Sequence, residues 1–182
     1  MYDLRMIVFG AGTAGVGIAD MVRDAIAKEG KKSKEEASKQ IWLVDKVGLL
    51  LDSHTEQLHS FQKPYSKPDS DWKGIDTKSL RRVIEQVKPH VLIGTSTKKG
   101  AFTEEIVREM AKHVDRPAIF PLSNPTRLHE ANPKDINAWT DGKALIATGS
   151  PFPPVEHNGK MYDVCKYISV QERDWVFANP KT

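Results

Sequence analysis

The residues with the strongest claim to chemistry form a G-x-G-x-x-G run, Gly10-Ala-Gly12-Thr13-Ala14-Gly15, directly after the apolar segment Leu4–Phe9. Each glycine answers a physical need. The first permits a tight turn, the second lets backbone approach a pyrophosphate, and the third lets a helix pack closely on a strand. A helix starting at this loop offers free amides and the positive end of its dipole to phosphate charge. The acid expected to accept hydrogen bonds from an adenosine ribose is Asp45, at the end of the next apolar run, Ile41–Val44. It lies further from Gly15 than the roughly 20 residues usual for this arrangement, and the charged stretch 31–39 accounts for the extra length. The alternative for Asp45 is a solvated acid at a strand end. Lys46 would attract a 2′-phosphate whereas the Asp45 carboxylate would repel one, so the pair favours NAD and leaves NADP open.

In open α/β sheets, ligands sit outside the carboxyl ends of the strands. Two later strand ends are therefore informative. His90–Ile93 runs into Gly94-Thr95-Ser96-Thr97-Lys98-Lys99-Gly100, whose small first residues let a cofactor lie against backbone. Pro117–Phe120 runs into Pro121-Leu122-Ser123-Asn124-Pro125-Thr126, where Asn124 offers both an amide donor and a carbonyl acceptor. The alternative for Ser123, Asn124 and Pro125 is a simple turn.

These loops need a frame. Leu4–Phe9, Ile41–Val44, His90–Ile93, Pro117–Phe120 and Ala144–Ala147 are short apolar runs suited to strands buried on both faces. Ile18, Met21, Val22, Ala25 and Ile26 predict a helix fading near Gly30, followed by a solvated linker over Lys31–Lys39. Residues 61–75 read as loop, Leu80 to Val87 as an amphipathic helix capped by Asp76, and Thr103–Lys112 as another helix. Strands alternating with helices predict an α/β fold, a doubly wound and mostly parallel sheet with helices on both faces.

GAGTAG, IWLVDKVGLL, LIGTSTKKGAFT, IFPLSNPT and ATGSPFPPV, in this order, closely resemble the NAD-binding domain of malic enzymes, over residues 4–163. The resemblance implies a Rossmann-like domain over 1–163, with a tail over 164–182 that departs from the family pattern after Asp163. It implies oxidative decarboxylation of L-malate to pyruvate and carbon dioxide with NAD or NADP and Mg or Mn, in a homo-oligomeric parent. Gly10, Gly12, Gly15 and Asp45 match the family's dinucleotide positions, and Asn124 matches an asparagine that contacts substrate and nicotinamide. Gln62 falls where NADP-preferring members often carry lysine, which tilts the resemblance toward NAD. The family's tyrosine, lysine and metal-binding acids lie upstream of the glycine loop, outside this chain. No catalytic or metal-binding residue is therefore assigned here, and the isolated chain is expected to be inactive. The competing function is a free-standing dinucleotide-binding or regulatory module.

Other residues invite ordinary readings. The six histidines show no i, i+4 pair and read as surface or loop residues, Lys98 and Lys99 as a solvated pair in preference to a contact with cofactor phosphate, and Cys165 as incidental. At 182 residues the chain suits one domain. Its 39% apolar and 28% charged content suits a globular protein, and a dispersed net charge of +3 does not suggest nucleic acid. No stretch approaches the roughly 20 apolar residues of a spanning helix, so no membrane partner is expected. A single cysteine suits an intracellular compartment, cytoplasmic or mitochondrial matrix.

Overall fold

In the computed structural model, which describes residues 3–166, the apolar runs become strands of one sheet. They are β1 (Met6–Phe9), β2 (Ile41–Asp45), the two-residue β3 (Gly48–Leu49), β4 (Val91–Gly94), β5 (Ala118–Pro121) and β6 (Leu145–Thr148). A hairpin of β7 (Val155–His157) and β8 (Lys160–Tyr162) leads to β9 (Cys165–Lys166). The seven-stranded sheet has the order β3-β2-β1-β4-β5-β6-β9. All neighbours pair in parallel except β3, which turns back antiparallel on β2. The expected doubly wound α/β architecture is present. Pairing with β6 continues through Lys166, while 167–182, most of the tail singled out above, lies outside the described residues.

Side chains alternate across a strand, and the two faces sort accordingly. Ile7, Val44, Leu92 and Ile119 pack on one side against α3 (Leu80–Val87) and α4 (Glu104–His113). Met6, Val8, Ile41, Leu43 and Ile93 pack on the other against α1 (Thr13–Gly30) and α2 (Lys34–Ser38). Full burial of each such Ile or Leu stabilises by about 1.5–3 kcal/mol. Two buried layers thus hold the ends of β1, β2, β4 and β5 in place. A further helix, α5 (Pro133–Trp139), begins with Pro133 under an Asn132 side-chain cap and buries Ile136.

Several expectations need correction. Met21 was expected in the α1 stripe, but it is 67% exposed. Close packing of Gly15 on β1 turns Val16, Ala19 and Ile26 inward, which carries Met21 to the far side of the helix. Lys31–Lys39 is not a linker throughout: Ser33 and Glu36 form a reciprocal capping box that starts α2, and Ala37 is buried beneath it. The cap of α3 is Ser79, whose hydroxyl accepts from the Arg82 amide, rather than Asp76, which accepts from the Lys78 amide.

Residues 61–75 carry short 3-10 turns and bury Tyr65 and Trp72. They also bury Lys67, whose ammonium donates to the Ser38 and Lys39 carbonyls and lies 4.8 Å from the Trp42 ring centroid. Burial first, and Lys39 second, lower its pKa to about 7. Tyr65 donates to Asp20, and burial followed by that bond pushes its phenol up.

Candidate functional site

The parallel strands end on one edge, and chain direction across the sheet reverses between β1 and β4. Such a switch point leaves a crevice at the carboxyl edge. The glycine loop lies there. Gly10 has φ +110°, and a Cβ on it would sit 2.5 Å from the Thr95 carbonyl carbon, so only glycine lets the loop run against the β4 turn. The Thr95 amide donates to Phe9, and its hydroxyl donates to the Gly10 carbonyl at 2.8 Å. A Cβ on Gly15 would lie 2.0 Å from that same carbonyl oxygen.

Gly12 differs from both. Nothing lies within 4 Å of where its Cβ would be, and it is the exposed N-cap of the 18-residue α1, with no side-chain cap and no acid in the first turn. The first amides of α1, those of Thr13 and Ala14 among them, have no intrahelical acceptor. An open glycine beside uncapped amides fits the diphosphate of a dinucleotide.

Asp45, half-buried at the end of β2, accepts from the Ala11 amide at 3.1 Å through Oδ2 and from the Lys46 amide at 2.8 Å through Oδ1. Each carboxylate oxygen has lone-pair capacity beyond one bond, so ribose hydroxyls fit as further donors. Gln62 is buried behind the loop. Its Nε2 donates to the Ala11 carbonyl at 2.8 Å and its Oε1 accepts from the His59 amide at 2.9 Å. It holds the carbonyl of the residue whose amide Asp45 holds, so Ala11 is fixed on both sides.

A cleft of about 810 Å³ brings together Gly10, Asp45, Lys46 and Ser96, a size suited to a cofactor. Thr95 supports it from beneath, and Lys98 lines it. The sequence reasoning missed Lys78, Ser79 and Arg81, which line the cleft at the start of α3. Proximity to Asp45 in the fold, not in the chain, is what places them there.

Ser123 and Asn124 lie one strand further along, in the loop after β5. Asn124 is exposed, accepts from the Ser150 hydroxyl at 2.6 Å, and is followed by a cis peptide bond to Pro125. A Cβ on Gly149 would come within 2.7 Å of the Asn124 Nδ2. The SNPT and GSPF segments therefore meet face to face. Ser123 is buried and, with Ser96, hydrogen-bonds to Glu130, a residue the sequence reasoning passed over because no local pattern marks it.

The histidines are not all superficial. His129 is 5% exposed, its two ring nitrogens have no hydrogen-bond partner among the described residues, and burial lowers its pKa. The reason is packing, since its ring lies 5.5 Å from that of Phe152. Among the described residues no group of three or more His, Cys, Asp or Glu gathers to hold a metal ion, and no helix is long and apolar enough to cross a membrane.

Comparison with known proteins gives the family. Residues 1–167 match the family described as malic enzyme, NAD binding domain. The chain is 54% identical over 171 residues to NAD-dependent malic enzyme 3 of Bacillus subtilis (strain 168), covering 89% of this chain and 29% of the relative. It is 53% identical over 154 residues to the mitochondrial NAD-dependent malic enzyme of Saccharomyces cerevisiae, covering 85% and 23%. It is 47% identical over 163 residues to the malolactic enzyme of Lactiplantibacillus plantarum, covering 89% and 29%. The chain spans less than a third of the length of these relatives. With the family match covering both the glycine loop and the SNPT and GSPF segments, the chain belongs to the NAD-binding domain family of malic enzymes.

Proposed function

We propose that this domain binds NAD across the carboxyl edge of its sheet and, as part of a longer homo-oligomeric malic enzyme inside the cell, serves the oxidative decarboxylation of L-malate to pyruvate and carbon dioxide. The observation that carries the reading is a cleft at the switch point lined by Gly10 of the glycine turn, Asp45 and Ser96. The α1 amides at Thr13 and Ala14 neutralise the diphosphate, and Gly12 keeps side-chain bulk out of its way. Asp45 takes the adenosine ribose hydroxyls. Asn124 faces the nicotinamide and substrate end, with Ser150 fixing its amide orientation. Bound NAD supplies the hydride acceptor for the C2 of malate. Proton transfer and the Mg or Mn site are assigned, by family, to parts of the parent other than this domain.

Calorimetry with NAD and NADP tests the reading. NAD is expected to bind more tightly, because a 2′-phosphate would approach the Asp45 carboxylate. Lys46, Lys78 and Arg81 nearby set the counter-case, and tighter NADP binding would reverse the preference. Absence of binding by either dinucleotide would sink the assignment. Malate-dependent reduction of NAD by this chain alone is expected to be undetectable; robust turnover would place the proton-transferring groups here.

A further inference from the structure

Glu130 has no exposed surface, although it sits between two polar loop segments. Four donors converge on its carboxyl group. Oε1 accepts from the Ser96 amide at 2.9 Å, the Ser96 hydroxyl at 2.9 Å and the Ser123 hydroxyl at 2.5 Å, while Oε2 faces the Ser123 amide at 3.4 Å. A carboxylate can only accept, so both serine hydroxyls must point their protons at it. Their lone pairs then turn outward, where Ser123 Oγ accepts from the Thr97 amide at 2.8 Å and Ser96 Oγ from the Lys98 amide at 3.1 Å.

An independent feature marks the same carboxyl. A Cβ on Gly94 would lie 2.4 Å from Glu130 Cδ. The last residue of β4 lacks a side chain where Glu130 reaches through. One buried group therefore ties the turn after β4 to the turn after β5, and Asn124 is the next residue along the second of them.

We propose that Glu130 is a positioning residue: through Ser96 and Ser123 it sets the spacing of the two turns between which the nicotinamide end of the dinucleotide is received. The inference rests on the dinucleotide reading above and assigns no chemical step to Glu130 itself. The adenosine diphosphate end is held by the glycine loop and Asp45, which Glu130 does not touch. Ser96 also lines the cleft beside Gly10 and Asp45, so the loss of Glu130 should be felt most strongly, rather than solely, at the nicotinamide end.

The test uses this chain with two probes, ADP-ribose, which lacks the nicotinamide, and NADH, whose fluorescence reports the surroundings of that ring. Glu130→Gln keeps the volume but aims an amide N–H₂ at one of the four donors. Its NADH affinity is expected to fall about tenfold, the scale of a weakened charge-assisted hydrogen bond, and the emission change on binding to shrink. ADP-ribose affinity should stay within about twofold. Equal losses for both probes would reduce Glu130 to a structural role, and unchanged NADH binding would overturn the proposal outright. If Glu130→Gln does not fold, Ser123→Ala removes one hydroxyl donor and should give the same split at about threefold. Failure of the unaltered chain to bind ADP-ribose would overturn the dinucleotide reading, and this inference with it.

Discussion

The two sides of the sheet's carboxyl edge are built by opposite means. On the β1–β2 side, position is set by missing side chains: Gly10 and Gly15 bring backbone within distances that any Cβ would violate. On the β4–β5 side, position is set by one added side chain, Glu130, whose carboxyl gathers the turns around it. Steric closeness tolerates no substitution, whereas a hydrogen-bonded tie can be weakened by degrees. The glycine side should therefore fail abruptly and the carboxylate side gradually.

Gly15→Ala is the most severe way to break the comparison. Its Cβ would meet the backbone oxygen of Gly10 at 2.0 Å, and backbone cannot swing aside as a long side chain can. A loss of about 3 kcal/mol or more is expected, at the upper end of overpacking costs. Thermal unfolding would show it as a midpoint drop of roughly 6–12 °C for a domain of this size; a drop under a degree would mean the loop relaxes freely. Gly12→Ala is the same chemical change in the same loop with the opposite consequence for packing, since its Cβ enters open space and its backbone is already extended. Stability should change by less than about 0.5 kcal/mol, while NAD affinity falls about tenfold, or 1.4 kcal/mol. Equal affinities for the variant and the unaltered chain would show that the ligand does not use the space above Gly12.

Lys67→Met sharpens the contrast from outside both sides. It removes the donor to the Ser38 and Lys39 carbonyls beside Trp42 together with the penalty of burying the Lys67 charge, so at or below neutral pH the variant is expected to be no less stable than the unaltered chain, with no effect on dinucleotide affinity. The pH dependence has a definite sign. Folded Lys67 titrates at about 7 because burial disfavours its charge, against 10.5 when unfolded. Between those values the unfolded chain binds more protons, so stability rises as pH climbs through that window and the penalty is present in full below it. Denaturant titrations from pH 6 to 9 should show that rise in the unaltered chain and lose it in Lys67→Met.

The difference between the sides also explains what could be read from the amino-acid order. A residue that must be small leaves a local signature, so the Gly10–Gly15 turn and the acid ending β2 were visible, as were the strands, through their apolar runs. The Ser33–Glu36 capping box was equally local, yet a charged stretch disguised it. Glu130 and Lys67 were not visible, because their partners are distant in the chain: Ser96 lies 34 residues from Glu130, and Ser38 lies 29 from Lys67. Nothing about a glutamate or lysine in a polar segment announces burial. Gln62 draws attention in the sequence only through the family resemblance, while its grip on Ala11 is visible only in the fold.

Ala11 is tethered through both of its backbone polar groups. Its N–H is claimed by Asp45 and its C=O by Gln62, so the turn is frozen before any ligand arrives. Association then forfeits little loop freedom, and more of the contact energy survives as affinity. A domain built this way should take up its ligand with rapid, single-step kinetics rather than by slow ordering of a floppy loop.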